Sequence, residues 1–381
     1  MQSFSNIQQE VLSVNYFYPE RILDFASQID FLFSKICSLK RNEFPIKLTF
    51  FVHCRNKEDF IEKYILIRSV KERNHIKAPA ALISQDTFGV PGPLLEVFIL
   101  HNLPDSYKTI NDENYLIIKS DDAEILFAIT ESYHHTYFDE NVKACFNNLN
   151  GILSKFNFKY SDVLRQWNYI GNILKHEKQR NEINQHYQIF NNFRSINYSN
   201  CNFESGYPVA TGIGTSIDEC CIDVIAIKGN NFSIDAIHNN QQIDAYCYSE
   251  SVLGGLPQNS LNINSSPKFE RARFFKSSLI NLLFVSGTAS IIGENTVCKG
   301  DIVGQTNTTI SNIEVLLNQA RSLTGTSGSV LNYRAYVKRP DDCQKVKEIC
   351  EDKFGCNKGI ILIADICRDD LLVEIECNYF F

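Results

Sequence analysis

Ala364-Asp365-Ile366-Cys367-Arg368-Asp369-Asp370-Leu371-Leu372-Val373-Glu374-Ile375-Glu376 is the last strand-like stretch of the chain, and it ends in two carboxylates two residues apart. Strand alternation puts Glu374 and Glu376 on one face and Val373 and Ile375 on the other. Cys367 stands seven residues before Glu374, with Arg368 beside it. Paired acids in such a setting have two readings. They are a solvated edge, or a site where burial and like charge raise one carboxyl until it carries a proton near neutrality.

Working outward, residues 279–292 read as a strand, and its small-residue run Ser286-Gly287-Thr288-Ala289-Ser290 lets a side chain or ligand lie against the backbone. Asp301 opens a long amphipathic helix marked by Ile302, Ile310, Ile313, Leu316, Leu317 and Ala320. A strand at 333–337, a helix at 341–353 and strands at 359–365 and 371–376 follow. The order β, long α, β, α, β, β fits a sheet with helices on one face. Upstream, 46–52 and 94–100 read as strands around a helix at 57–70, with a turn at 89–93 and a hairpin at 112–122. Residues 140–200 are polar and helical in tendency, and 207–215 read as a glycine-bearing loop. Its Gly212-Ile213-Gly214 lacks the third glycine of a dinucleotide fingerprint, so the glycines point to close backbone approach by some other ligand. No internal repeat stands out.

The 381 residues are 44% hydrophobic and 21% charged, ordinary globular proportions and long enough for two domains. A net charge of −7 argues against a nucleic-acid surface. The longest apolar runs are too short to span a bilayer, and the polar start at residues 1–6 has no signal-peptide core, so the expectation is a cytoplasmic protein without membrane contact. Thirteen cysteines include the adjacent Cys220-Cys221 but no C-x-x-C spacing. They read as reduced, packed thiols; no metal and no cofactor is expected.

Five separated motifs carry a resemblance. They are Gly92-Pro93-Leu94-Leu95-Glu96-Val97, Arg165-Gln166-Trp167-Asn168-Tyr169-Ile170, Tyr187 with Phe190-Asn191 and Arg194, Pro208 through Gly214, and Cys367-Arg368 through Glu376. With the run Phe284 through Gly293, they resemble the chorismatases, a pteridine-dependent deoxygenase-like family of the YjgF/RidA-like fold. The first 85 residues carry no such motif. The resemblance implies an α+β protein of two RidA-like (chorismate mutase-like) halves, each a mixed sheet plus helices, packed in one chain. The expected division is 1–150 and 151–381, with the catalytic residues in the second part. A monomer or a small homo-oligomer is compatible with it.

Chorismatases cleave the enolpyruvyl ether of chorismate and release pyruvate. Breaking an enol ether needs a proton on its terminal methylene carbon, hence a carboxylic acid still protonated near pH 7. The family's acid matches Glu374, with Glu376 on the same face as the fallback. For a dianionic substrate the resemblance assigns Arg165 and Arg194 as cations and Tyr169 and Tyr187 as hydroxyl donors. Thr211, Gly287, Ala289, Lys338 and Arg368 complete the expected binding set. A cysteine seven residues before the acid accompanies formation of 3-hydroxybenzoate, whereas hydrolytic members make a dihydroxycyclohexadiene carboxylate. Cys367 is therefore expected to be catalytic, its thiolate favoured by the adjacent arginine. The rival readings are the hydrolytic chemistry, an imine or enamine hydrolase of the same fold, and an inactive small-molecule binding protein of a biosynthetic pathway.

Overall fold

The computed structural model describes residues 11–21, 24–179, 182–253 and 265–381; the polar start at 1–6 lies outside them. Three large sheets organise these residues. The first has the spatial order Leu12–Phe17, Leu94–His101, Glu43–Phe51, Ala80–Ile83, and carries helices α1 (Phe25–Cys37) and α2 (Lys57–Arg73). The second runs Val209–Thr215, Val163–Gly171, Cys220–Gly229, Ala123–Ser132, Tyr115–Lys119, Lys108–Asn111, with α3 (Phe138–Lys155) and α4 (His186–Tyr198). The third runs Phe232–Ile237, Ala272–Ser277, Asn281–Ala289, Val373–Phe380, Ser329–Val337, Gly359–Ile363, Asp86–Thr87, with α5 (Ile302–Thr324) and α6 (Cys343–Phe354).

One unit recurs in all three. A lead-in strand is followed by a helix, a strand, a second helix and a parallel strand, and a return strand then inserts between the lead-in and the first strand. The parallel pairs are Glu43–Phe51 with Ala80–Ile83, Val163–Gly171 with Val209–Thr215, and Ser329–Val337 with Gly359–Ile363. Parallel neighbours need a crossover, and α2, α4 and α6 supply it. α2 shows how locally the signal is written: Asn56 caps its start by accepting from the Asp59 N–H, with Glu58 and Asp59 in the first turn and Lys71 and Arg73 in the last. Each unit also places a bulge where the return strand meets the first strand, at Ile46, Leu164 and Leu331.

Each sheet buries its outer face under its own helices, as Leu48, Phe50 and Val97 do with Ile29 and Phe60 in the first unit. The inner faces of all three sheets meet in one central core that includes Phe51, Leu94, Trp167, Tyr169, Cys221, Phe284 and Tyr336. Burial of this apolar surface, at roughly 25 cal/mol per Å², holds the sheets together.

The α+β class, with mixed sheets covered by helices, stands as expected; its unit occurs three times. The division at 150/151 falls inside α3, and the sheets change over instead between His101 and Lys108 and between Gly229 and Phe232. Within 140–200, Val163–Gly171 is a strand with all nine residues buried. The glycine-bearing stretch contributes the strand Val209–Thr215, not a loop. Both were hidden by polar residues whose partners are buried inside the molecule. Asp301 sits at the N-cap of α5 without a side-chain capping hydrogen bond. All thirteen cysteines are free, and among the described residues no helix is long and apolar enough to cross a membrane.

Candidate active site

Where the inner faces meet, each sheet is tied to the next by a buried ion pair. Lys47 Nζ reaches Asp223 Oδ2 at 2.7 Å, Arg165 Nη2 reaches Glu376 Oε2 at 2.7 Å, and Arg334 grips Glu96, its Nε donating at 3.0 Å. The cation always comes from a first strand and the carboxylate from the return strand of another unit, so the three pairs close a ring. The carboxylates are equivalent in register: Glu96 faces Thr49, Asp223 faces Trp167 and Glu376 faces Arg334, each three residues past the bulge.

Two residues earlier on each return strand, the same inward face holds Leu94, Cys221 and Glu374. Two of the three positions are apolar core. The third is a carboxyl, and it opens onto a cavity of about 250 Å³ between the second and third sheets. Asn168, Ala210 and Gly212 line it from the second sheet, Tyr187, Phe190 and Arg194 from α4, and Gly287 and Ala289 from the third sheet, with Ile291 of the short strand Ile291–Ile292 beside them. Cys367, Arg368, Arg271 and Tyr248 complete the wall around Glu374.

The two glutamates share a strand, a face and deep burial, yet carry opposite charge states. Burial opposes ionisation of Glu376, but Arg165 and Arg334 outweigh it, helped by Thr211 and by Trp167 Nε1 donating at 2.8 Å, so its carboxyl stays below the usual range. Glu374 gains no such contacts. Burial, then the charge of Glu376, push it up to about 8, against smaller opposing effects of Arg165 and Arg271. It is therefore a neutral acid at pH 7. Gly287 makes its place: a Cβ there would lie 2.9 Å from Glu374 Cδ and closer still to its Oε1.

The structure brings Glu374, Cys367, Tyr187, Arg194, Gly287, Ala289 and Arg368 to one cavity. Four expected ligands lie elsewhere. Arg165 and Thr211 stand behind the wall, Arg165 Nη2 donating to Thr211 Oγ1 at 2.7 Å while the Gly287 N–H donates to the same oxygen at 3.0 Å. Tyr169 accepts from Arg334 Nη1 at 2.8 Å within the central core. Lys338 pairs with Asp369 at 2.7 Å, away from the cavity, because the 365–370 turn folds back over it. The thiolate expectation for Cys367 is also corrected. Burial, reinforced by Glu374, pushes its thiol up to about 12 despite Arg368 and Arg271. Nor does Arg368 pair with Glu374; it donates to the Glu294 carbonyl at 2.7 Å and lies over the Tyr248 ring.

Sequence reasoning missed Arg271 and Tyr248. Arg271 Nη2 donates to the Ile243 carbonyl at 2.8 Å and to Tyr248 Oη at 2.6 Å, leaving its Nε without an acceptor among the described residues, as is Arg194 Nε. The signal was Glu270-Arg271-Ala272-Arg273 running into Phe274-Phe275, charged residues alternating into an aromatic strand.

The family described as Chorismatase FkbO/Hyg5-like, N-terminal, matches residues 106–226. A 3-hydroxybenzoate synthase of Streptomyces hygroscopicus is 31% identical over 251 residues, covering 63% of this chain and 69% of that protein. A RutC family protein of Pyrococcus abyssi is 31% identical over 99 residues, 25% of this chain and 76% of its own length. That is the scale of one sheet-and-helix unit. A solved chorismatase structure superposes over 97% of this chain and 98% of its own, with TM-score 0.67 at 19% identity, a likeness of fold. The match to most of the length of the synthase places this chain in the chorismatase family.

Proposed function

We propose that this chain cleaves the enolpyruvyl ether of chorismate, releasing pyruvate and 3-hydroxybenzoate. One observation carries the reading: Glu374, a buried carboxyl pushed up to about 8, faces a cavity shared by Arg194, Arg271 and Arg368. An enol ether breaks once its terminal methylene takes a proton, and an acid with a pKa near the working pH is suited to give it. The arginines match a dianion, and the open N–H groups of Arg194 and Arg271 are donors for its carboxylates. Burial keeps Tyr187 a neutral phenol that can donate as well.

Chorismate becomes 3-hydroxybenzoate plus pyruvate with no net water. The methylene carbon gains one proton and the ring with its hydroxyl gives up one; the C3–O ether bond breaks with its oxygen leaving in pyruvate, while the C4 hydroxyl oxygen bonds to C3 and its bond to C4 then opens, which leaves the hydroxyl on C3. After delivery, Glu374 is a carboxylate beside that ring, so the ring proton can return to it and no external base is needed. The charge of Glu376 raises the proton affinity of Glu374 and favours that return. Cys367 enters as a neutral thiol that fills the wall and limits water at the ring. The walls belong to one chain, so a monomer suffices, and thirteen free thiols fit a cytoplasmic setting.

The test is incubation with chorismate, with pyruvate followed through lactate dehydrogenase and ring products resolved by chromatography with mass detection. Pyruvate with 3-hydroxybenzoate is expected. Pyruvate with a dihydroxycyclohexadiene carboxylate keeps the ether cleavage and refutes the aromatic product; no pyruvate sinks the reading.

A further inference from the structure

His238, Asp244 and Glu270 converge outside the cavity, on its Arg271 side, with one ligating atom from each lying within 4.8 Å of the others. His238 Nδ1 is 3.3 Å from Asp244 Oδ1 and 3.9 Å from Glu270 Oε2. Two atoms that each bind one ion at about 2.1 Å can stand up to roughly 4.2 Å apart, so both separations suit a shared ion.

Each carboxylate is held by its other oxygen. The Tyr207 N–H donates to Glu270 Oε1 at 3.0 Å, and the Tyr246 hydroxyl donates to Asp244 Oδ2 at 3.0 Å. This is how outer-shell donors orient ligands in metal sites, fixing one oxygen so that the other points inward. Glu270 is only 3% exposed, and its Oε2, aimed at His238, has no hydrogen-bond partner among the described residues. An unpartnered buried carboxylate oxygen is costly unless a proton or a cation meets it. His238 is half exposed, which leaves a way in from solvent.

We propose that His238, Asp244 and Glu270 form a binding site for one first-row divalent cation, zinc foremost. One imidazole and two carboxylates are a borderline-hard donor set of the kind Zn²⁺ accepts, with solvent completing the coordination. The ion would staple the 238–244 stretch to Glu270. Arg271, next in sequence, is held by the Ile243 carbonyl and Tyr248, so the staple would brace the cationic wall of the cavity. The sequence hid this set because its three members are scattered over 33 positions' worth of chain, from 238 to 270, without motif spacing.

The test titrates the chelator-treated full-length protein with Zn²⁺ by calorimetry and loads it with Co²⁺ for optical spectroscopy. One equivalent is expected to bind, with no thiolate-to-metal charge-transfer band, and to raise the melting temperature. His238→Ala and Asp244→Asn should each abolish that binding, and Tyr246→Phe should weaken it about 10-fold to 100-fold. No stoichiometric binding would overturn the site, as would binding unchanged in His238→Ala and Asp244→Asn, or a Co²⁺ spectrum showing cysteine ligation. Both variants alter partly exposed side chains, so the outcome does not depend on replacing buried Glu270.

Discussion

Two cavities in this molecule occupy equivalent places and differ in chemistry. Between the first and third sheets, a cavity of about 470 Å³ is lined by Tyr16, Tyr18, Leu94, Tyr333 and Gly359, with Lys347 and Glu351 of α6 at its side. Between the second and third sheets lies the cavity of Glu374, walled by α4. Leu94 and Glu374 hold the same place on their return strands, two residues before the ring carboxylates Glu96 and Glu376. In the first cavity the helix cation is balanced by its own neighbour, since Lys347 lies 3.9 Å from Glu351. In the second, Arg194 and Arg271 keep open N–H groups. Packing of repeated units creates the cavities, and one carboxyl in place of an apolar residue is what sets the proposed proton-transfer site apart from the other.

Removing that carboxyl should have the largest effect. Glu374→Gln is expected to lower pyruvate release by about 10²–10⁴-fold, the usual worth of a positioned general acid. In the wild type, the rate should fall as pH rises through about 8, where the acid form is lost. The same shift sets stability. The folded pKa of Glu374 is raised from the unfolded 4.5, so the stability attached to its proton is complete below about 4.5 and is lost as pH rises through 8. Glu374→Gln escapes that loss. Its advantage in chemical denaturation should grow from pH 5 to pH 8, to at most roughly 4–5 kcal/mol. Parallel stability curves for variant and wild type would mean that Glu374 is already ionised in the fold.

The ring of ion pairs predicts a different failure. Arg334→Met leaves Glu96 buried without its cation and strips one from Glu376, which should cost about 3–5 kcal/mol in denaturation experiments. Lys338→Met is the contrast. Its partner Asp369 is 95% exposed, and loss of such a pair should cost no more than about 1 kcal/mol. Equal losses in the two variants would abolish the distinction between ring and surface. A smaller intrusion, Gly287→Ala, places a methyl group against the Glu374 carboxyl and should reduce turnover about 10-fold to 100-fold with the fold retained. Unchanged turnover would mean that Glu374 acts from another rotamer.

Much of this site is legible in the sequence. Strand alternation put Glu374 and Glu376 on one face, and small residues at Gly287 and Ala289 marked where something packs against the backbone. The third unit was readable because its strands and its long helix α5 follow ordinary apolar periodicity. The strands Val163–Gly171 and Val209–Thr215 were not, since their inward residues Arg165, Trp167 and Thr211 find partners on Glu376, a residue far along the chain. Nothing local separates a buried ion pair from a solvated one. For the same reason Lys338 looked like a ligand and Arg271 did not. Which of the two glutamates is the acid was undecidable from spacing, because the answer lies in cations contributed by the other strands.

The smallest expected change in rate, and the most informative about product, belongs to Cys367→Ala. Cys367 lines the cavity beside Glu374, and its thiol, pushed up to about 12, does not ionise at working pH. As a neutral wall group it need not alter proton delivery, so chorismate consumption should stay within a few-fold of wild type. Alanine opens room for about one water beside the ring. A water admitted there competes with loss of the ring hydrogen, and the product should shift from 3-hydroxybenzoate toward the dihydroxycyclohexadiene carboxylate, with pyruvate still equimolar to chorismate consumed. Chromatography of the ring products reads that ratio directly. An unchanged ratio would make Cys367 a packing residue and would move control of the product to the rest of the wall, with Gly287 and Ala289 the next positions to enlarge.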